Sequence, residues 1–110
     1  MGLTQSRNIS KMTSIDQVTK FIADNKVAVI SKSYCPYCTM AKNALNSIDA
    51  EFQVMEIEND GNMDAIQDHM KKITGARSVP RVFVNGNCIG GGTETSQYVK
   101  SGKLQEMLKE

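Results

Sequence analysis

The chain has 110 residues, of which 40% are hydrophobic, enough for one domain with a core of ordinary size. A net charge of +1 and the lack of a dense basic patch give no case for nucleic acid. Three cysteines, an odd number, argue against a secreted disulfide framework, and no apolar run approaches the roughly 18 residues of a membrane span.

Residues 1–13 are polar, carry no acidic residue and read as a flexible N-terminal tail. Their start, Met1-Gly2-Leu3-Thr4-Gln5-Ser6, fits the N-myristoylation pattern. An ordinary flexible terminus is a second reading. A weak mitochondrial presequence, with Arg7, Lys11 and several hydroxyl residues, is a third, and Met12 offers an alternative start. The terminus lacks the apolar stretch of a secretory signal, so a reducing intracellular compartment is the default.

Ser14 to Asn25 reads as a helix, with Ser14 and Gln17 as a capping box and Ile15, Val18, Phe21 and Ile22 on one side. Val27-Ala28-Val29-Ile30 is a continuous apolar run, as in a central strand buried on both faces. Pro36 to Ser47 is the next helix, its apolar side formed by Met40, Ala41, Ala44, Leu45 and Ile48. Phe52 to Ile57 alternates as a second strand. The strand–helix–strand unit so formed requires parallel strands and a right-handed crossover. Asn59 to Asn62 is a turn, and Met63 to Thr74 a helix with Ile66, Met70 and Ile73 inward and Gly75 as its stop. Arg81 to Val84 is a strand, Asn85-Gly86 a hairpin turn, and Asn87 to Ile89 the return strand. After Gly90-Gly91-Gly92, a last helical region runs from Glu94 to Leu108, divided at Gly102. The fold class is α/β.

The chemistry concentrates in Ser33-Tyr34-Cys35-Pro36-Tyr37-Cys38. Proline is favoured as the first residue of a helix, which makes Cys35 the N-cap and Cys38 the third helical residue. At an N-cap, free backbone N–H groups and the positive end of the helix dipole favour a thiolate over a thiol. Positions i and i+3 share a helix face, so Cys38 can close onto Cys35 as a disulfide with little backbone movement. A CxxC after a strand and at a helix start reads as a thioredoxin-like redox motif. The competing reading is half of a zinc site, for which the only further ligands are Cys88 and His69. Pro80 after Val79 is either a trans proline opening an edge strand or a cis peptide that turns the Val79 backbone outward to pair with an extended peptide. The three glycines before a helix permit close ligand approach, and a helix N-terminus binds a carboxylate. Lys32, three residues before Cys35, attracts an anionic thiol if it faces the site. Gln67 and Arg77 alone read as surface residues.

Cys35-Pro36-Tyr37-Cys38, Thr74-Gly75-Ala76-Arg77-Ser78-Val79-Pro80-Arg81-Val82-Phe83 and Cys88-Ile89-Gly90-Gly91 together resemble a dithiol glutaredoxin over residues 14–110. Thioredoxins carry a Trp before the first cysteine and Gly-Pro between the pair, whereas this chain has Tyr34, Pro-Tyr and no Trp. The resemblance implies a thioredoxin fold, a central four-stranded mixed sheet flanked by helices, with glutathione as co-substrate and no metal. It implies Cys35 as nucleophile and Cys38 as resolving thiol. Lys32 and Gln67, with Arg77 nearby, match positions that hold the glycine carboxylate of glutathione. Tyr37 lines the cleft, and Val79, before a cis Pro80, pairs with the cysteinyl backbone. Gly91, Gly92, Thr93 and Glu94 match the site for the γ-glutamyl end, where many relatives have Ser-Asp in place of Thr93-Glu94. The implied reactions are reduction of protein–glutathione mixed disulfides through Cys35 and of protein disulfides through both cysteines. Partners would be such proteins and, indirectly, glutathione reductase. The chain would act as a monomer, cytoplasmic with mitochondrial or membrane-associated fractions as variants, the last only if Gly2 is acylated. The alternative is an iron–sulfur carrier with a cluster bridging two chains through Cys35 and glutathione, against which Pro36 argues.

Overall fold

Val27-Ala28-Val29-Ile30-Ser31 forms strand β1, and all five of its residues are buried in the computed structural model, which describes residues 13–110. The expectations for residues 1–12, Gly2 among them, fall outside the described ones, whereas Thr13, assigned to the tail, is the N-cap of the first helix. Burying a large aliphatic side chain contributes about 1.5–3 kcal/mol, so a strand covered on both faces is the natural axis of the sheet. Around it the elements are α1 (Ser14–Asp24), α2 (Pro36–Ser47), β2 (Gln53–Glu56), α3 (Met63–Thr74), β3 (Arg81–Val84), β4 (Asn87–Gly90), α4 (Gly92–Lys100) and α5 (Lys103–Leu108). The sheet order is β2-β1-β3-β4, with β2 parallel to β1 and the other pairs antiparallel. Asn85 and Gly86 turn the β3–β4 hairpin with φ of 53° and 83°, the left-handed pair that Asn-Gly adopts most readily.

Strand alternation sorts the core into two layers. Ala28 and Ile30 face Val18 and Ile22 of α1 and Ile66 and Met70 of α3. Val27 and Val29 face Ala41 and Leu45 of α2 and Leu104 of α5. The second strand is shorter than Phe52–Ile57 but alternates as expected, with Met55 and Ile57 in the first layer and Phe52 and Val54 in the second.

Several expectations are corrected. The capping box of α1 is Thr13 and Asp16, not Ser14 and Gln17: Thr13 Oγ1 accepts from the Asp16 N–H at 3.0 Å and Asp16 accepts from the Thr13 N–H at 3.3 Å. Ser14 is already helical, and its hydroxyl donates to Asp60 at 3.2 Å, tying α1 to the loop before α3. Met40 is 39% exposed because the buried stripe of α2 is Cys38, Ala41 and Leu45. Met40 precedes Ala41 by one residue, about 100° round the helix. Ile73 is 49% exposed, since the stripe of α3 runs through Ile66, Gln67 and Met70 to half-buried Thr74. The last helical region begins at Gly92 rather than Glu94, and Gly102 divides it in the left-handed conformation, φ 80°. No helix among the described residues is long and apolar enough to cross a membrane.

Candidate active site

β1 ends at Ser31, and the chain turns through Lys32, Ser33 and Tyr34 into α2. The Cys35 N–H donates to the Lys32 carbonyl at 3.1 Å, which closes the turn. Cys35 is the N-cap of α2, with φ −90° and ψ 122°, and Pro36 holds the first helical position. The loop is braced from β2's side: the Ser33 hydroxyl donates to Glu58, and the Ser33 N–H donates to the same carboxylate at 3.3 Å. The Ser33 hydroxyl in particular holds the exposed Glu58 carboxyl below its usual range.

The two sulfurs stand in different surroundings. Cys35 is half-buried and Cys38 fully buried. Burial alone would raise the Cys35 thiol, but the Cys38 N–H and thiol, the Tyr37 N–H and the Lys32 charge together lower it. In the thiol form Cys35 makes no capping bond, and its S–H points to the Val79 carbonyl at 3.7 Å. Once ionised, the sulfur has only acceptor capacity, and the N–H groups of the first turn are the donors it meets. Burial raises the Cys38 thiol, and the neighbouring Cys35 adds to this against the Lys32 N–H and the Ser31 hydroxyl. The Lys32 N–H donates to Cys38 Sγ at 3.4 Å.

The Val79–Pro80 bond is cis, so of the two readings of Pro80 the extended trans one is excluded. Tyr37, Val79, Pro80, Gly91, Gly92, Thr93 and Glu94 line one open cleft of about 290 Å³. Cys35 borders this cleft through its contact with the Val79 carbonyl. Lys32 stands close enough to Cys35 for its charge to act on the thiol. Gln67 and Arg77 are brought together outside the lining of the cleft. Gln67 is buried, at 6% exposure, and its Nε2 donates to the Arg77 carbonyl at 2.9 Å. It is thus an internal brace, not the surface residue it seems when read alone. The Arg77 guanidinium is drawn to Asp68 at 3.2 Å and Asp64 at 3.7 Å.

Two features of the glycine-rich segment differ from expectation. Gly92 serves the chain itself: a Cβ there would fall on the Tyr37 carbonyl oxygen. Glu94 accepts from the Gly91 N–H at 2.7 Å, so one carboxylate oxygen is committed to the start of α4. Ser78 and Arg81 also line the cleft and were not anticipated. The Arg81 guanidinium donates to the Pro80 carbonyl at 2.9 Å. A cation directly after the Val79-Pro80 pair was the available signal. A second cleft, about 130 Å³, lies at the opposite end of β1 between Asn25, Val27 and Phe52, and no cysteine borders it. His69 and Cys88 lie on α3 and β4, and among the described residues no group of three or more His, Cys, Asp or Glu side chains stands together.

This geometry can be set beside known proteins. The family model described as glutaredoxin matches residues 27–89. The mitochondrial glutaredoxin-2 of Bos taurus is 37% identical over 110 residues, covering 98% of this chain and 70% of the relative. The mitochondrial glutaredoxin-2 of Homo sapiens is 40% identical over 94 residues, 86% of this chain and 57% of the relative. The chain therefore spans little more than half the human relative's length. Oxidised glutaredoxin 2 from Chlamydomonas reinhardtii superposes with a TM-score of 0.82 at 50% identity, covering 86% of this chain and 90% of that one. A buckwheat glutaredoxin–glutathione complex gives 0.81 at 34% identity, with 86% of each chain covered.

Proposed function

The chain belongs to the glutaredoxin family of thiol oxidoreductases, with the thioredoxin fold, and on that premise we propose that it reduces protein–glutathione mixed disulfides through Cys35 and protein disulfides through Cys35 and Cys38. The observation that carries this is the unlike pair of sulfurs. One, lowered and accessible, stands at the N-cap position of a helix beside an open cleft; the other, raised and buried, lies one turn on. In the first route the Cys35 thiolate attacks the glutathionyl sulfur and the protein thiolate departs. Attack by a second glutathione thiolate then frees Cys35 and leaves oxidised glutathione. In the second route Cys38 displaces the bound protein from Cys35, and the pair is left as a disulfide.

The glutathione site of this proposal uses three groups of residues. Lys32, Gln67 and Arg77 serve the glycine carboxylate, Gln67 through its side-chain oxygen and Arg77 by exchanging its surface contacts with Asp64 and Asp68. The Val79 backbone before cis Pro80 pairs with the cysteinyl unit, and Tyr37 borders it. The free N–H groups at the start of α4, at Gly92 and Thr93, take the α-carboxylate of the γ-glutamyl end, and the uncommitted oxygen of Glu94 faces its amine. Supporting the fit is a cleft that opens beside the reactive sulfur and is flanked by cations. The buckwheat glutaredoxin–glutathione complex, similar in structure to this chain, supports the same reading. The iron–sulfur alternative is not favoured, since Pro36 stiffens the start of α2 beside Cys35. The mitochondrial names of several relatives support a mitochondrial site of action beside the cytoplasmic one.

Reduction of a glutathionylated small disulfide, coupled to glutathione reductase, tests the proposal. Turnover by the native protein and none by Cys35→Ser is expected. Equal rates for the two, or no turnover above the uncatalysed reaction, would overturn it.

A further inference from the structure

The mechanism leaves one buried polar group without a task. Ser31 is fully buried, and its hydroxyl meets no partner at hydrogen-bonding geometry among the described residues, although it stands near enough to Cys38 to lower that thiol. Such groups are rare in folded proteins because desolvation without a partner is unfavourable, and each calls for a physical reason. Strand alternation supplies the direction. Ser31 lies on the same face of β1 as Val27 and Val29, which pack against Ala41 and Leu45 of α2. Cys38 continues that buried stripe of α2 toward its first turn. The next residue, Lys32, already donates its N–H to Cys38 Sγ.

We propose that the Ser31 hydroxyl is a positioning residue for Cys38, a latent donor that completes its hydrogen bonding when the Cys38 thiolate forms. The inference rests on the dithiol route proposed above. A neutral buried thiol is a weak acceptor and leaves the hydroxyl unsatisfied, whereas a thiolate is a strong one. The opposing influence of Ser31 on a thiol otherwise raised by burial agrees with this placement. The titratable groups around Cys38 are Cys35, one helical turn away, and Lys32, which reaches it through its backbone; at this end of α2 the neighbouring α4 presents the uncharged Gly92 against Tyr37.

Both directions of the dithiol route pass through this thiolate. In resolution, the Cys38 thiolate attacks the Cys35 sulfur, the bond from Cys35 to the substrate breaks, and the departing thiolate takes up a proton in place of the one Cys38 released. In regeneration, a glutathione thiolate attacks Cys35 and Cys38 departs as the thiolate. A donor to Cys38 therefore speeds both. The gain is partial, because a thiol of lower pKa is intrinsically less nucleophilic, with a Brønsted slope of about 0.4–0.5. One hydrogen bond to a charged sulfur changes its ionisation by on the order of tenfold, so net resolution at neutral pH changes by about threefold.

The test is stopped-flow reduction of a chromophoric aromatic disulfide, in which the first equivalent of released thiol reports attack by Cys35 and the second reports resolution by Cys38. In Ser31→Ala the second phase should slow by about threefold near neutral pH, and the deficit should close as the pH rises past the Cys38 ionisation. Ser31→Thr should restore the phase. Titration of Cys38 by thiolate absorbance in a Cys35→Ser background should move upward with Ser31→Ala, while thermal stability holds or rises because an unpaired hydroxyl is gone. A second phase identical to native, or one slowed equally at every pH, would overturn the role of Ser31. The absence of any second phase in the native protein, or its persistence in Cys38→Ser, would instead overturn the dithiol route itself.

Discussion

At the residue scale, two cysteines of identical chemistry are set apart by where the helix puts them. Cys35 is lowered and Cys38 raised. The sign of the pH dependence follows: as pH falls from the ordinary thiol range, Cys38 becomes fully protonated first, while Cys35 remains partly thiolate. Iodoacetamide should therefore label Cys35 in mildly acidic solution, leaving Cys38 untouched, as a peptide-mass time course would read. Faster labelling of Cys38 would reverse the assignment. The same separation predicts the outcome of Cys38→Ser. Deglutathionylation, which needs one nucleophile and a second glutathione, should retain much of its rate, and dithiol reduction should lose most of it. The reason is that a thiol one turn away acts at high effective concentration. Parallel assays of one preparation on both substrates check this. The division was legible from Cys-Pro-x-Cys alone, since Pro36 fixes the helix start and so the cap. The Val79 carbonyl opposite Cys35 was not, because it arrives from 44 residues along the chain.

At the element scale, α4 is the least obvious part of the site. Its first residues are glycines that read as space for a ligand, yet Gly92 is used by the packing of α4 on α2, where the Tyr37 backbone occupies the room a side chain would need. Gly92→Ala should cost about 1–3 kcal/mol, the range for overpacking against backbone that cannot yield. Denaturant unfolding measures it, and an unchanged midpoint would mean that the two helices part without cost. Gln67 behaves in a related way. Alone it looks like a surface amide, but the stripe of α3 carries it inward to the Arg77 carbonyl. Gln67→Ala leaves that carbonyl short of a donor and should lower the melting temperature, whereas Arg77→Ala, which removes only exposed ion pairs, should not. Thermal melts of the two variants side by side decide it.

At the scale of the whole molecule, the site depends on two layers meeting on one strand. β1 delivers the cysteine loop, while α5 supports the layer beneath α2 through the fully buried Leu104. Leu104→Ala should cost about 2–5 kcal/mol. It should leave the pH profile of Cys35 alkylation where it was, because Leu104 acts on stability and not on the sulfur. Unfolding curves and alkylation rates on the same sample separate the two effects. A profile that moved with the midpoint would show the cap and the core to be coupled.

What the sequence by itself determined is local in origin. The periodicity of Ile15, Val18 and Ile22, the apolar run of β1, the stop at Gly75 and the turn at Asn85-Gly86 are short-range consequences of side-chain pattern and backbone freedom. So is the cap at Cys35, and all stand where the residues alone put them. Thr13 and Ser14 are both good caps, and the reciprocal bonds of Thr13 with Asp16, with Ser14 turned to Asp60 instead, tell them apart. The tertiary structure decided whatever needed a partner from far along the chain. It turned Met40 and Ile73 outward, and it gave Gly92 to Tyr37 and half of Glu94 to Gly91. It also set the isomer of Pro80 and left a buried serine beside a buried thiol. A sequence pattern reports which face of an element is apolar. Which atoms meet across that face follows only from how the layers pack.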